Sequence, residues 1–502
     1  MISFAKIEKW FLRKEKFVIL VLILFYLATR LFNLTRLPIF TDESIYIYWA
    51  KFIGESHSNW FISLTDGKPP LLIWIIAFLL KFFPPEMYLL AGRLPSVFFG
   101  GLCAIGIYKI SNLFFKNQVI AYLSVLTYTL FPFSFVYDKM ALFDSMLSSM
   151  LLWAAYYCLK TADDFSLKNV FFWGFFLGLG YLSKGTAIIF SFLLPICYLI
   201  FQNVNSPRHN PRKIIIAIFL STFISQILNN LQRISKIYYM VAQKNQQFQQ
   251  PIDQILENPF RLLIGNSQGI FSWIQSYYSL PLLVFGLFSF AFLFLLSKHK
   301  AGILLILWFA PMFVFAFIAR ELFPRYLLFT TPYFIIVFAY GFFEFAKHIY
   351  QKFTYLALLL FVIFLPLFYF DYFLLTNPAL APFPGTDFNQ YVGEHPSGYG
   401  LDKIFWHIDK IIEKEDILLI TQGTFGLYPY AFYLNYWGNP KVKINPVWPV
   451  DLQTIKSEFL VDRRTFLVVK ELVSLPQNFP FPIAAIGNKP GGKYPIILSV
   501  LK

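Results

Sequence analysis

The chain has 502 residues, 57% of them hydrophobic and 14% charged. Soluble domains run nearer half apolar and a quarter charged, and here the apolar residues gather in long blocks, which excludes an ordinary soluble enzyme and a disordered chain. The net charge of +15 lies in short basic clusters between those blocks, so it reads as a set of topology signals and not as a nucleic-acid surface.

Residues 1–16 carry Lys6, Lys9, Arg13, Lys14 and Lys16, which places the N-terminus in the cytoplasm. The first apolar block, about 17–33, runs straight into a polar stretch without a small-residue cleavage site, so a signal peptide is a poor reading. After the polar stretch comes Leu71–Phe83, apolar but only 13 residues long. A span needs about 20 residues, so this piece reads as a helix lying at the membrane surface. Further spans are expected at about 94–113, 117–136, 140–160, 169–183, 186–202, 213–231, 279–297, 301–319, 327–346 and 353–373, eleven in all. Alternation from a cytoplasmic N-terminus puts Lys109/Lys116, Lys160/Lys168, Arg208/Arg212/Lys213, Lys298/Lys300 and Lys347/Lys352 inside, in agreement with the positive-inside rule. Cys103, Cys158 and Cys197 all fall within apolar blocks, so neither a disulfide nor a cysteine metal site is expected.

Three stretches then face outward: 34–93, 232–278 with its polar run Gln243–Gln250 and a surface helix, and the tail from 374. The tail is polar and reads as helix near Asp402–Glu413, strand Ile417–Thr421, helix near Tyr430–Tyr436, strand Lys441–Ile444, helix Leu452–Phe459 and strand Thr465–Val469. The fold class is thus a polytopic α-helical membrane protein, residues 1–373, with a small extracytoplasmic α/β domain at 374–502.

The sharpest chemical feature is Phe40-Thr41-Asp42-Glu43-Ser44-Ile45-Tyr46, two adjacent carboxylates just beyond the first span. Thr41 or Asp42 can cap a surface helix, and Glu43 suits its positive end. Asp42 can equally serve as a general base at the edge of hydrocarbon, and the two roles can coexist. Asp66-Gly67-Lys68-Pro69-Pro70 opens the short surface helix, where Lys68 either snorkels to headgroups or holds a specific phosphate. Arg320-Glu321-Leu322-Phe323-Pro324-Arg325-Tyr326 begins a late span, a place where Arg and Tyr commonly serve as interfacial anchors. Asp138-Lys139, Asp144 and Lys184 sit at outer span ends, and ionisable residues near membrane depth are functional candidates or paired structural charges. Arg30 and Arg93 read as anchors or structural partners. The six histidines show no metal-ligand spacing.

Taken in order, these motifs resemble a known family. An outer Asp-Glu follows the first span, then Lys68-Pro69-Pro70-Leu71, Gly92-Arg93-Leu94-Pro95-Ser96, Ala141-Leu142-Phe143-Asp144, Leu182-Ser183-Lys184-Gly185 and Arg325-Tyr326. This arrangement, over about residues 17–346, is similar to the GT-C integral membrane glycosyltransferases, in particular the protein O-mannosyltransferase and aminoarabinose transferase superfamily. The resemblance implies transfer of a sugar from a polyprenyl-phosphate carrier to an acceptor on the outer face of the plasma membrane. It ties Asp42 to acceptor activation, with Glu43 beside it. It makes Tyr46 and Lys68 ligands of the carrier phosphate, joined by Arg325 and Tyr326, and leaves Asp144, Lys184 and Arg93 as further site candidates. Aminoarabinose transferases carry a glutamate, associated with a metal site, where this chain has Gly67. This departure weakens a metal prediction: the expectation is that no cofactor is required, with a divalent metal left open but not supported. The partners implied are the lipid-linked donor, membrane lipid and an acceptor that is a protein, a lipid or a glycan. A transporter or flippase for a lipid-linked sugar is the alternative, and a receptor acting through the tail is a third reading.

Overall fold

The computed structural model describes residues 4–56, 59–205, 211–350, 352–450, 463–470 and 481–501. The helix expected at Leu452–Phe459 lies outside the described residues, as do Arg208, His57 and His209.

In chain order the helices are α1 Phe4–Arg13, α2 Glu15–Leu31, α3 Thr41–Ile53, α4 Leu71–Leu79, α5 Tyr88–Phe115, α6 Gln118–Thr129, α7 Pro132–Tyr137, α8 Phe143–Asp163, α9 Leu167–Ser183 and α10 Ile188–Asn205. They continue as α11 Pro211–Asn230, α12 Tyr239–Phe248, α13 Ile252–Glu257, α14 Leu263–Tyr278, α15 Leu280–Leu296, α16 Lys298–Ile318, α17 Thr331–Ile349, α18 Phe353–Thr376, α19 Gly385–Phe388, α20 Leu401–Ile412 and α21 Leu427–Asn435. Helix forms in every stretch where a span is expected. Among the described residues six helices are long and apolar enough to cross a membrane, or seven if α14 and α15, bent by 104° at their junction, make one. The protein is a multi-pass membrane protein.

The expected span 117–136 is interrupted. Asn117 caps α6 by accepting the N–H groups of Val119 and Ile120, but the helix stops at Thr129 and α7 restarts with Pro132 in its first turn. The proline lacks the N–H that a continuous helix would use and pushes Phe131 to extended backbone, so the chain breaks there. This break leads into the loop that carries Asp138, Lys139 and, at the start of α8, Asp144.

The chain divides into two compact units. The first comprises residues 1–33, 60–72 and 93–373. Within it α8 packs between α9 and α10, and α17 is almost wholly buried. α11 lies against α9, where Gly174 and Gly178 leave room for Ser221 and Leu228, a small-residue contact of the kind that lets membrane helices approach closely.

The second unit comprises residues 34–59, 73–92 and 374–502. Its centre is a sheet ordered β2-β1-β3-β5-β4, with β1 Ile417–Gln422, β2 Val442–Val447, β3 Arg464–Val469, β4 Ile483–Gly487 and β5 Ile496–Val500. β1 runs parallel to β2 and β3, while β5 is antiparallel to β3 and β4. β1 is buried along its whole length, which explains its unbroken apolar run. α20 and α21 cover one face, with Ile404, Ile408, Leu427 and Phe432 packed on Ile417, Leu419 and Phe466. The two C-terminal strands, β4 and β5, had no counterpart in the sequence pattern. Ile496-Ile-Leu-Ser-Val does not alternate because four of its five residues are buried, and it follows a Pro-Gly-Gly turn signal.

Candidate functional site

In the second unit, Asp42 and Glu43 sit in the first turn of α3. Glu43 is fully buried and accepts the N–H of Phe40 at 3.0 Å. It therefore satisfies one of the donors that every helix start leaves open. Asp42 stays half-buried, at the positive end of the helix. Tyr46, one turn on and 4% exposed, points its hydroxyl towards Asp42 Oδ2 at 3.5 Å. The helix is seated by Tyr48, whose ring stacks on Tyr430 with centroids 4.3 Å apart.

In the first unit, a second set of candidates converges. Lys184 caps the end of α9 and donates to Asp144 Oδ1 at 2.8 Å. Its ammonium also stands 3.7 Å from the centroid of the Tyr326 ring. Burial pushes the Lys184 pKa down to about 8; Asp144 pulls it back up, and the charges of Arg325 and Lys68 push it down again. Asp144, Tyr326, Arg325 and Lys68 are thus all within contact or electrostatic reach of Lys184. Arg325 and Tyr326 open a 3-10 turn, Pro324–Thr330, and both are buried. Arg325 also packs over the ring of Phe323, 5.1 Å from its centroid. Buried cations of this kind suit an anion.

Lys68 extends from the loop before α4, and its Nζ lies 4.8 Å from the ring centroid of Phe248 at the end of α12. Gly67 before it has φ +69°, and a Cβ there would lie 2.7 Å from Lys244 Cβ. A glutamate at this position would be strained twice over. The neighbouring Asp66 carboxylate instead pairs with Lys244 at 3.1 Å. Among the described residues no three His, Cys, Asp or Glu side chains converge as a metal site would require.

Arg93, on α5, is fully buried. The outer pair Asp138-Lys139 has a role the sequence left open. Asp138 is fully buried and accepts Arg30 Nε at 3.2 Å, Ser145 Oγ at 2.8 Å and the hydroxyls of Tyr26 and Tyr128. Lys139 donates to the carbonyls of Thr29, Arg30 and Phe32, the open end of α2. A cation there also suits the negative end of the helix. Together they clamp the α7–α8 loop onto α2, five residues before Asp144. Sequence reasoning could list these charges but not pair them, because Arg30 and Asp138 lie 108 positions apart.

The solved structures show the fold. ArnT from Cupriavidus metallidurans bound to undecaprenyl phosphate superposes with a TM-score of 0.58 at 12% identity, over 96% of this chain and 97% of that one. Its apo form gives 0.56 over the same shares, again at 12% identity. The protein has the GT-C membrane fold. Residues 67–228 match the family model for dolichyl-phosphate-mannose-protein mannosyltransferases. The resemblance read from the motifs therefore holds: this is a protein like the GT-C mannosyltransferases and aminoarabinose transferases. The Saccharomyces cerevisiae protein O-mannosyltransferase Pmt1-Pmt2 complex bound to its sugar donor aligns over 47% of this chain and 36% of that one, with 18% identity and a TM-score of 0.37. No curated protein matches the sequence.

Proposed function

We propose that the protein is a glycosyltransferase that takes a sugar from a polyprenyl-phosphate donor and passes it to an acceptor hydroxyl on the extracytoplasmic face of the plasma membrane. The observation that carries this reading is the contact of Lys184 with Asp144 and Tyr326, with the charges of Arg325 and Lys68 within electrostatic reach of that lysine. A lipid phosphate gains negative charge as its bond to the sugar breaks, and fixed cations in a poorly solvated site stabilise that charge. ArnT, whose fold this chain shares, was solved with undecaprenyl phosphate bound. The reading keeps eleven spans, a cytoplasmic N-terminus, a membrane domain of residues 1–373 and an outer domain of 374–502.

In the proposed reaction Asp42 takes the proton of the acceptor hydroxyl. The acceptor oxygen attacks the anomeric carbon, the bond from that carbon to the phosphate oxygen breaks, and its electron pair leaves on the phosphate. One displacement inverts the anomeric centre. Glu43 holds the start of α3, and so the place of Asp42. Tyr46, Lys68, Arg325 and Tyr326 bind the donor phosphate, with Lys184, Asp144 and Arg93 as further candidates.

The test is to incubate wild type and Asp42→Asn with a panel of polyprenyl-phosphate sugars and membrane extract, and to follow the donors by mass spectrometry. Loss of a general base lowers rates by about 10²–10⁴-fold, so the variant should insert normally and consume almost no donor. An inserted variant with undiminished transfer would remove Asp42 from the role.

One observation favours the transporter alternative, the 104° bend between α14 and α15. Transporters pair such broken helices across two repeats, and among the described residues this is the one helix pair so bent. Uptake of a labelled lipid-linked sugar by proteoliposomes, with no transfer, would reverse the preference.

A further inference from the structure

The second unit contains a connection that neither the motifs nor the proposed chemistry uses, between the last strands of the sheet and the start of α3. Lys489 follows β4 and is only 3% exposed. Lysine is almost never buried so fully without a partner. Its partners here are two main-chain oxygens, the carbonyls of Glu394 at 2.6 Å and Ser397 at 2.7 Å. The side chain therefore grips both ends of one tight turn, closed internally by the Ser397 N–H on the Glu394 carbonyl at 3.0 Å.

That turn holds the helix of the two carboxylates. The carbonyl of Pro396 accepts both the N–H and the hydroxyl of Thr41, each at 3.0 Å. Phe40 and Ser397 pair as an antiparallel bridge, and the Phe40 ring packs edge-on against Tyr391, with centroids 4.9 Å apart. The backbones are pressed so close that a Cβ on Gly398 would run into the carbonyl oxygen of Ile39. Ser397 Oγ adds a bond to the Tyr391 carbonyl at 2.9 Å, which fixes the near side of the turn. The residue after Thr41 is Asp42. A polar side chain at the far end of the sequence thus acts, through one turn, on the first peptide of α3.

We propose that Lys489, Ser397 and Thr41 are positioning residues for Asp42, so that the C-terminal segment is part of the transfer machinery and not only a surface for acceptor recognition. This rests on the proposal that Asp42 is the base. Lys489 does not touch the reacting atoms. It fixes the turn that fixes the helix start, and a displacement of about 1 Å at a reacting group can cost about 10²-fold in rate.

The experiment uses the full-length protein in nanodiscs, as wild type, Lys489→Met and Lys489→Gln. Methionine keeps the length but donates nothing, whereas the glutamine amide keeps two N–H donors. Two readouts are taken. Hydrogen exchange by mass spectrometry follows the peptide containing residues 39–44, and donor consumption gives kcat and KM. The expected result for Lys489→Met is faster exchange at residues 39–44 and a kcat reduced about tenfold or more. Its KM for the donor should be unchanged, because the phosphate-binding cations are untouched. Lys489→Gln should restore both quantities towards wild type. Wild-type exchange at 39–44 in Lys489→Met, or an unaltered kcat, would overturn the proposal. If that variant does not fold, Thr41→Val removes only the hydroxyl bond to Pro396 and is read in the same two ways. If wild type consumes no donor at all, the glycosyltransferase reading is what has failed, and the exchange measurement still decides whether Lys489 holds α3.

Discussion

Lys184 donates to Asp144 at 2.8 Å while its ammonium lies 3.7 Å from the ring centre of Tyr326. One side of the cation is thus neutralised by a carboxylate, and the ring occupies another. Because burial and the nearby cations bring its pKa down to about 8, Lys184 is charged below that pH and loses its charge above it. If Lys184 helps to hold the donor phosphate, the KM for the donor should rise as pH passes about 8. Lys184→Arg keeps the charge at every accessible pH, so it should move this alkaline limb upward, while Lys184→Ala should raise KM about tenfold or more at neutral pH. A donor KM that is flat from pH 7 to 10 in wild type would argue against the role.

Gly67 gives a second expectation. Its φ of +69°, and the 2.7 Å that would separate a Cβ there from Lys244 Cβ, leave no room for a side chain. Gly67→Ala should destabilise the protein by about 1 kcal/mol or more. It should also weaken donor binding, because Lys68 is the next residue. Thermal unfolding in detergent and the donor KM measure the two effects. Gly67→Glu, which restores the carboxylate of the aminoarabinose transferase pattern, should not create a metal requirement in this backbone. A rise in activity with added divalent ion in that variant would show that the loop can rearrange.

The buried pair Arg30–Asp138 is predicted to be structural. Both side chains are fully buried, and Asp138 takes further donors from Tyr26, Tyr128 and Ser145. Removing one member of such a pair strands the other charge, at about 3–5 kcal/mol. Asp138→Asn and Arg30→Met should each lower the unfolding temperature strongly. The double variant should lose less than the sum of the two, a coupling that a double-mutant cycle reads directly. Additive losses would mean that the pair is not a unit.

These expectations separate what the sequence could show from what it could not. The helices were legible because apolar blocks of span length are rare by chance, and the edges of those blocks pointed to Asp42, Lys68 and Arg325. Pairing was not legible. Nothing in the order of residues says that Lys184 meets Asp144, 40 positions earlier, or that Lys139 closes the end of α2. The sequence suggests Thr41 or Asp42 as the cap of α3, but both lie inside the helix; Phe40 is the cap position, and Glu43 closes the turn by accepting its N–H. The break at Pro132 carried a visible signal, a proline inside an apolar block, that hydropathy alone overrides. β5 was missed because a strand buried along most of its length loses its alternation, and β4 because a short apolar run near a chain end resembles any other. Lys489 gave no signal at all, since a lone lysine before a Pro-Gly-Gly turn looks like solvent-exposed loop.

Lys489 supplies the last prediction. Burial pushes its pKa down to about 7; Glu394 raises it and Lys470 lowers it. A neutral amine still has two N–H groups, enough for the Glu394 and Ser397 carbonyls, so the uncharged form fits the site without loss of either bond. In the unfolded chain the same group titrates near its ordinary value of about 10.4. Between these two values the unfolded state holds more protons than the folded one, so stability must rise with pH. The contribution is fully present above about 10.4 and lost as pH falls through about 7. Its slope in that window is at most about 1.4 kcal/mol per pH unit. Other groups titrate in the same range, and the comparison with Lys489→Met removes them. The difference in unfolding free energy, wild type minus variant, should increase from pH 7 to pH 10 and be flat below pH 6. A difference that stays constant across the whole range would show that Lys489 keeps an ordinary pKa in the folded protein, and therefore that its amine is in contact with water.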